Sequence, residues 1–165
     1  FNFVLYDEFR RKGWQPVFVG EYFVDPRNRA QTRVYSHQGT EACSPIPISR
    51  GVIGRLVRKN MDYIDRANIA MAKQDELTRL IGEGRDIDYI YVPDVTKDQD
   101  HVSCDSAAKS ELVIAAAYNG RVEGVLDLDF GIEDTLTQDD INGLRKIWRW
   151  YGPRIFIPSV GAPVS

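Results

Sequence analysis

The stretch ELVIAAAYNGRVEGVLDLDF, residues 111–130, decides the fold. Two apolar runs flank Asn119-Gly120, and this dipeptide is the strongest short-range signal for a two-residue hairpin turn. The first arm is almost wholly apolar, which predicts a central strand. In the second arm Asp127 and Asp129 alternate with leucines, so both carboxylates point to one face of the sheet.

The face that carries the two aspartates has two interpretations. Burying carboxylates without a purpose costs free energy, so a buried face implies a pocket in which the acids have a function. Alternating polar residues are also typical of an antiparallel strand with one face in water, and spacing alone favours this exposed interpretation. Glu111 begins the partner strand of the same hairpin and adds a third carboxylate to this end of the sheet.

A helix is predicted downstream of the hairpin. Thr137 and Asp140 form a partial capping box. The apolar residues that follow at helical spacing are Ile141, Leu144, Ile147, Trp148 and Tyr151. The pair Gly152-Pro153 predicts the end of this helix, and residues 153–165 are expected to be an extended, Pro-rich tail.

Upstream of the hairpin, periodicity and turn signals predict further elements. They are a helix over 3–13 with Leu5, Phe9 and also Val4 on one side, strands over 17–24 and 31–39, an irregular loop over 42–54 that runs into a short helix over 52–60, a helix over 61–84, and a strand over 89–95. Hairpins joined in this order predict a largely antiparallel sheet covered by terminal helices, which is an α+β fold. No repeat or linker is visible, so we expect one domain over residues 1–165.

Composition narrows the class of protein. The chain has 165 residues, 43% of them hydrophobic and 27% charged, with a net charge of -3. This balance is that of an ordinary globular domain and argues against nucleic-acid binding. No apolar run approaches the length of a membrane span, and no signal peptide is recognised. A single pair of cysteines is uncharacteristic of secreted scaffolds, so we expect a cytoplasmic protein with both thiols free at rest.

Cys104 lies in the polar loop HVSCDSAAKSE, residues 101–111. A lone cysteine is most often a small buried residue without chemistry. The polar neighbours Ser103 and Asp105 favour the opposite interpretation, in which Cys104 is a nucleophile. Cys43 lies in an irregular loop and has the same two interpretations.

Several stretches of the chain resemble GAF domains, and within that superfamily the free methionine-(R)-sulfoxide reductases. The resemblance covers roughly residues 17–145. The matching stretches are VGEYFV, QGTEACSPIPISRGVIG, YVPDV, HVSCDSAAKSE, NGRVEGVLDLDF and LTQDDINGL. The runs C-D-S-A-x-x-S-E and G-V-L-D-x-D are specific in combination, whereas either one alone would be weak.

The resemblance implies a GAF-like antiparallel sheet flanked by helices and a thiol-dependent reduction of free methionine-(R)-sulfoxide. It assigns Cys104 as the catalytic cysteine and Cys43 as the resolving cysteine. It assigns the substrate pocket to Glu111, Asp127, Asp129, Tyr22 and Phe18. It further implies that no metal or organic cofactor is needed, that thioredoxin is the reductant, and that the protein is a homodimer.

The sequence departs from the family in three places. Ile53 stands where the family usually has a third cysteine, and Phe18 stands where it has a tryptophan. The segment at about 58–88 is longer than the family's connection and is expected to be a helical insertion. Two alternatives therefore remain: a GAF module that binds a small ligand, such as an amino acid, without converting it, and a redox sensor based on Cys43 and Cys104.

Overall fold

The protein folds around a six-stranded antiparallel sheet. The computed structural model describes residues 1–57, 88–99, 101–102, 104–118 and 121–156. In chain order the elements are α1 (Asn2–Arg11), β1 (Pro16–Val24), β2 (Gln31–Gly39), β3 (Ile46–Pro47), α2 (residues 51–57, where the described segment ends), β4 (Tyr89–Val92), a 3-10 helix (Val95–Lys97), β5 (Ser110–Tyr118), β6 (Arg121–Phe130) and α3 (Gln138–Phe156). The strand order is β3-β2-β1-β6-β5-β4, and this arrangement confirms the predicted α+β class.

The hairpin formed by β5 and β6 lies at the centre of the sheet. Glu111 pairs with Asp129 and Val113 with Asp127. The pairing continues to Tyr118 and Arg121, while the turn residues 119–120 lie outside the described part of the chain. Strand β1 pairs with the other edge of β6, so the strand that carries both aspartates has a neighbour on each side.

Both faces of the sheet are covered, and each has its own hydrophobic core. On one face Leu126 and Leu128 pack with Phe9 of α1 and Trp148 of α3. On the other face Val113 and Val125 pack with Leu56 of α2, among others. The aspartates of β6 alternate with the leucines and therefore lie on the α2 side. The interpretation that this face is exposed is wrong, because α2 and its adjoining loops cover it.

Helix α3 begins as predicted but continues further. Thr137 Oγ1 donates to Asp140 Oδ2 at 2.6 Å, and Asp140 N donates back to Thr137 Oγ1 at 3.2 Å, which confirms the capping box. The prediction that Gly152-Pro153 ends the helix is wrong, since α3 runs to Phe156, and residues 153–156 are not extended.

Packing explains why the Gly-Pro pair lies within α3. A Cβ at Gly152 would lie 2.6 Å from the Trp148 ring, so glycine lets that fully buried indole pack against the helix. Beyond Pro153, the ring of Phe156 contacts Trp148 and also Tyr35. The packing of Phe156 on Trp148 and its contact with Tyr35 of β2 outweigh the hydrogen bond that proline cannot donate.

The remaining predictions differ from the structure in detail. Leu5 and Phe9 of α1 are buried, but Val4 is exposed, as is Ile147 of α3. Helix α2 begins at Gly51, one residue before the predicted start, and the expected loop contains the two-residue strand β3 at the edge of the sheet. The predicted helix over 61–84 lies outside the described residues, as does all but the last residue of the predicted insertion at 58–88. None of the described helices is long and apolar enough to span a bilayer.

Candidate functional site

The floor of the candidate site is the α2 side of strands β1, β6 and β5. Phe18 pairs with Asp129 in the register of β1 and β6, and Gly20 pairs with Asp127. A Cβ at Gly20 would lie 2.4 Å from the ring of Phe18. Glycine at this position therefore lets the Phe18 ring lie along β1 beside the acids, where it forms an aromatic wall with Tyr22.

Two loops cover this floor, and each carries one of the cysteines. The first loop follows Gly39 and contains Cys43, while the second follows the 3-10 helix and contains Cys104. The two cysteines form a disulfide with a Cα–Cα distance of 5.8 Å. The structure is therefore that of the oxidised protein, whereas the sequence analysis expects two free thiols at rest.

Local contacts hold the two loops in place. Gly39 has φ of +102°, and a Cβ there would lie 2.1 Å from the carbonyl oxygen of Val17. Arg55 of α2 contacts both carboxylate oxygens of Asp98, at 3.2 and 2.6 Å, which ties the second loop to the helix. After Cys104, the backbone N–H of Ala107 donates to Asp105 Oδ1 at 2.8 Å and closes a turn.

Three carboxyl groups form a cluster at the bottom of the cavity, and we call Glu111, Asp127 and Asp129 the acid cluster. If one carboxylate oxygen is taken from each residue, the three oxygen atoms all lie within 4.8 Å of one another. Glu111 and Asp127 are 5% and 6% exposed. Within the described part of the chain, Oδ1 of Asp127 and Oδ1 of Asp129 are buried without a hydrogen-bond partner. This spacing can surround a small positive group.

Burial and mutual repulsion favour the protonated forms of these acids. Burial, then Asp129 and Asp98, raise the pKa of Glu111 well above its usual value, while Arg55 opposes the rise. Burial, then Asp129 and Glu111, likewise raise the pKa of Asp127. Burial raises the pKa of Asp129 from 3.8 to about 7, with His101 opposing the rise and Asp105 adding to it.

Tyr22 stands beside the acid cluster and remains neutral. Burial, followed by the charges of Asp127, Asp129 and Glu111, raises the pKa of its hydroxyl far above the usual range. Tyr22 therefore offers a hydroxyl group and an aromatic face, but no charge. The cluster can thus hold one or more protons near neutral pH, next to the disulfide of Cys43 and Cys104.

The structure brings every residue that the sequence analysis selected into one cavity. Its lining includes Phe18, Tyr22, Cys43, Cys104, Glu111, Asp127 and Asp129. Ile53 lines the same cavity. Sequence analysis missed His101, whose Nδ1 lies 2.9 Å from Glu111 Oε2. The available signal was its position three residues before Cys104, at the start of a stretch already singled out.

Comparison with known proteins places these observations in context. No family model matches the sequence. Over 110 residues the chain is 29% identical to the free methionine-R-sulfoxide reductase of Escherichia coli (strain K12), which covers 67% of this chain and 50% of the relative. Over 112 residues it is 33% identical to GAF domain-containing protein A of Dictyostelium discoideum, covering 68% of this chain and 52% of the relative. The chain therefore spans about half the length of these two relatives.

The solved structures that resemble this chain are of the same kinds as these two relatives. The free methionine-R-sulfoxide reductase from Neisseria meningitidis, solved in complex with its substrate, aligns with a TM-score of 0.66 at 27% identity. That alignment covers 93% of this chain and 75% of the other. A solved GAF domain aligns with a TM-score of 0.68 at 21% identity, covering 88% of this chain and 68% of the other, which shows the fold alone. The chain has a GAF-like α+β fold, and its relatives and structural neighbours are GAF domain proteins that include free methionine-R-sulfoxide reductases.

Proposed function

We propose that the chain reduces free methionine-(R)-sulfoxide to methionine, with Cys104 as the nucleophile and Cys43 as the resolving cysteine. One observation carries the proposal: the two cysteines are joined above a buried acid cluster, within one cavity. The similarity to free methionine-R-sulfoxide reductases of two organisms supports it. Thioredoxin as the reductant, a homodimer, a cytoplasmic location and a single domain over 1–165 belong to the same proposal.

The cavity has the chemistry of a site for a free amino acid. The acid cluster offers charge-assisted hydrogen bonds to an ammonium group. Phe18, Tyr22 and Ile53 supply an aromatic and apolar wall on which the methylene and methyl groups of a methionine sulfoxide side chain can pack. We assign the cluster to an ammonium group rather than to a metal ion, because this wall beside it suits an organic ligand.

The reaction follows from thiol chemistry. Cys104 as thiolate attacks the sulfur of the sulfoxide, the S–O bond breaks, and methionine leaves. The oxygen atom and one proton remain on Cys104 as sulfenic acid. The substrate sulfur gains two electrons and Cys104 loses two. An acid-cluster carboxyl that is protonated near neutral pH can donate a proton to the oxygen in this step.

The disulfide is the product of the second half of the cycle. The Cys43 thiol attacks the sulfenic sulfur, an S–S bond forms, and water leaves. An external dithiol then reduces the disulfide by exchange. Because Cys43 bonds directly to Cys104, this cycle needs no third thiol, and Ile53 does not interrupt it.

The test is a thioredoxin-coupled assay of NADPH oxidation with free methionine-(R)-sulfoxide, and with the (S) form as a control. We expect turnover of the (R) form only, and none in Cys104→Ser. Cys43→Ser should release about one methionine per chain and then stop until a small thiol is added. Ile141→Val, a conservative substitution in the core on the opposite face of the sheet, should keep turnover. A fully reduced wild-type chain that converts neither form would refute the proposal.

A non-catalytic ligand-binding module is the second candidate. The similarity to GAF domain-containing protein A favours it, since that relative is described by its domain alone. Calorimetry on Cys43→Ser/Cys104→Ser separates the two candidates. Amino-acid binding in this variant, combined with a wild-type chain that shows no turnover, would favour the module.

A further inference from the structure

His101 carries a largely buried imidazole that contacts the acid cluster from the second loop. Its side chain is 11% exposed, and its Nδ1 lies 2.9 Å from Glu111 Oε2, whose side chain is 7% exposed. Among the described residues that line the cavity, His101 is the one basic side chain. Its charge also acts on Asp129, where it opposes the rise in pKa caused by burial.

The titratable groups that line the cavity with His101, or that act on Glu111 and Asp129 beside it, come from several elements. They are Tyr22 on β1, Glu41 and Cys43 in the first loop, Arg55 on α2, Asp98, Cys104 and Asp105 in the second loop, Glu111 on β5, and Asp127 and Asp129 on β6. Arg55 contacts Asp98, so its charge is already opposed by a carboxylate. His101 is therefore the basic side chain best placed to counter the acid cluster.

We propose, resting on the proposed reductase function, that His101 is a positioning residue: it fixes the orientation of Glu111 and keeps part of the acid cluster ionised for the ammonium group of the substrate. The hydrogen bond performs the first task, and the positive charge performs the second. Three acids at this spacing repel one another, so without a cation they stay protonated to higher pH. A fully protonated cluster offers no counter-charge to an ammonium group.

Two substitutions separate these tasks. The side-chain amide nitrogen of His101→Asn can replace Nδ1 as a donor to Glu111, but it carries no charge. His101→Ala removes both the donor and the charge. His37→Gln is the matched control, since His37 is the other histidine of the chain. Its ring stacks on Phe18, but His37 itself does not line the cavity.

The first measurement needs no activity. In protein labelled with 13C at the aspartate carboxyl carbon, the Asp129 signal is assigned by its loss in Asp129→Asn. Its titration midpoint should rise by about one pH unit in both His101 variants, because an opposite charge nearby is removed. It should not move in His37→Gln. An unchanged midpoint in the His101 variants would overturn the proposal.

The second measurement is the pH profile of kcat/KM. In His101→Asn the acid limb should move up by about one pH unit, so that KM rises about tenfold near pH 6 and recovers by pH 9. In His101→Ala the loss should persist at pH 9, since the donor to Glu111 is also missing. An equal loss at every pH in both variants would indicate a merely structural role and overturn the proposal. A wild-type chain without turnover would instead reject the proposed function, while the carboxyl titration would still decide whether His101 sets the charge of the cluster.

Discussion

At the scale of single residues, Asp129 shows how the candidate site affects stability. Burial raises the pKa of its carboxyl from 3.8 to about 7, so the folded chain binds a proton there that the unfolded chain releases above about pH 4. The contribution of the Asp129 carboxyl to the free energy of unfolding is therefore present at low pH and is lost as the pH rises from about 4 to about 7. Site acids of this kind trade stability for function.

We predict that Asp129→Asn gains stability relative to the wild type over this interval of pH. The difference in unfolding free energy should grow from pH 4 to pH 7 and then level off. Since one pKa unit corresponds to about 1.4 kcal/mol, the full gain is on the order of a few kcal/mol. Urea unfolding of both oxidised proteins at pH 4, 6 and 8 measures it. A difference that stays constant with pH would show that the carboxyl is not protonated in the folded state.

Asp129 also marks a limit of reasoning from sequence. The alternation in β6 was enough to predict that Asp127 and Asp129 share one face, because the two-residue period of a strand can be read from neighbouring residues alone. Whether that face is covered depends on α2 and two loops that are distant in sequence, so spacing alone favoured the wrong interpretation. The family resemblance supplied the pocket, and it also supplied the relation of Cys43 to Cys104. It did not direct attention to His101, because the contact of its side chain with Glu111 becomes visible only in the folded chain.

At the scale of elements, the loop that carries Cys43 depends on the end of β2. Gly39 has φ of +102°, and a Cβ there would meet the Val17 carbonyl oxygen at 2.1 Å. We predict that Gly39→Ala lowers the free energy of unfolding by more than about 1 kcal/mol. It should also slow closure of the disulfide, because the loop must move. Urea unfolding and the rate of thiol loss on oxidation measure the two effects.

Gly143 provides the matched control for that substitution. It is an exposed residue of α3, and a Cβ there meets nothing within 4 Å. Gly143→Ala should raise the unfolding free energy by about 0.5–1 kcal/mol and leave disulfide closure unchanged. Equal effects of the two substitutions would argue against a special role for Gly39.

Helix α3 itself shows why its end was mispredicted. The pair Gly152-Pro153 is a strong local stop signal, but the contacts of Phe156 with Trp148 and Tyr35 override it.

At the scale of the whole molecule, a single disulfide joins the two loops that cover one face of the sheet. Its cysteines are separated by 61 residues in sequence, so the bond removes many conformations from the unfolded chain. We predict that reduction lowers the unfolding free energy by roughly 2–4 kcal/mol, as measured by urea unfolding with and without dithiothreitol. Cys43→Ser/Cys104→Ser should match the reduced wild type and show no response to dithiothreitol. A response in this double variant would mean that the reductant acts elsewhere.

The same bond changes the covalent topology of the chain. In the oxidised protein, the segment from Cys43 to Cys104 is a closed ring that includes α2 and β4. One proteolytic cut anywhere inside this ring leaves both pieces joined through sulfur, and the product keeps the mass of the intact chain plus one water. The same cut in the reduced protein releases two separate fragments. A single nick followed by mass spectrometry therefore reports the redox state of the chain, and each cycle of the proposed reaction would open and close that ring once.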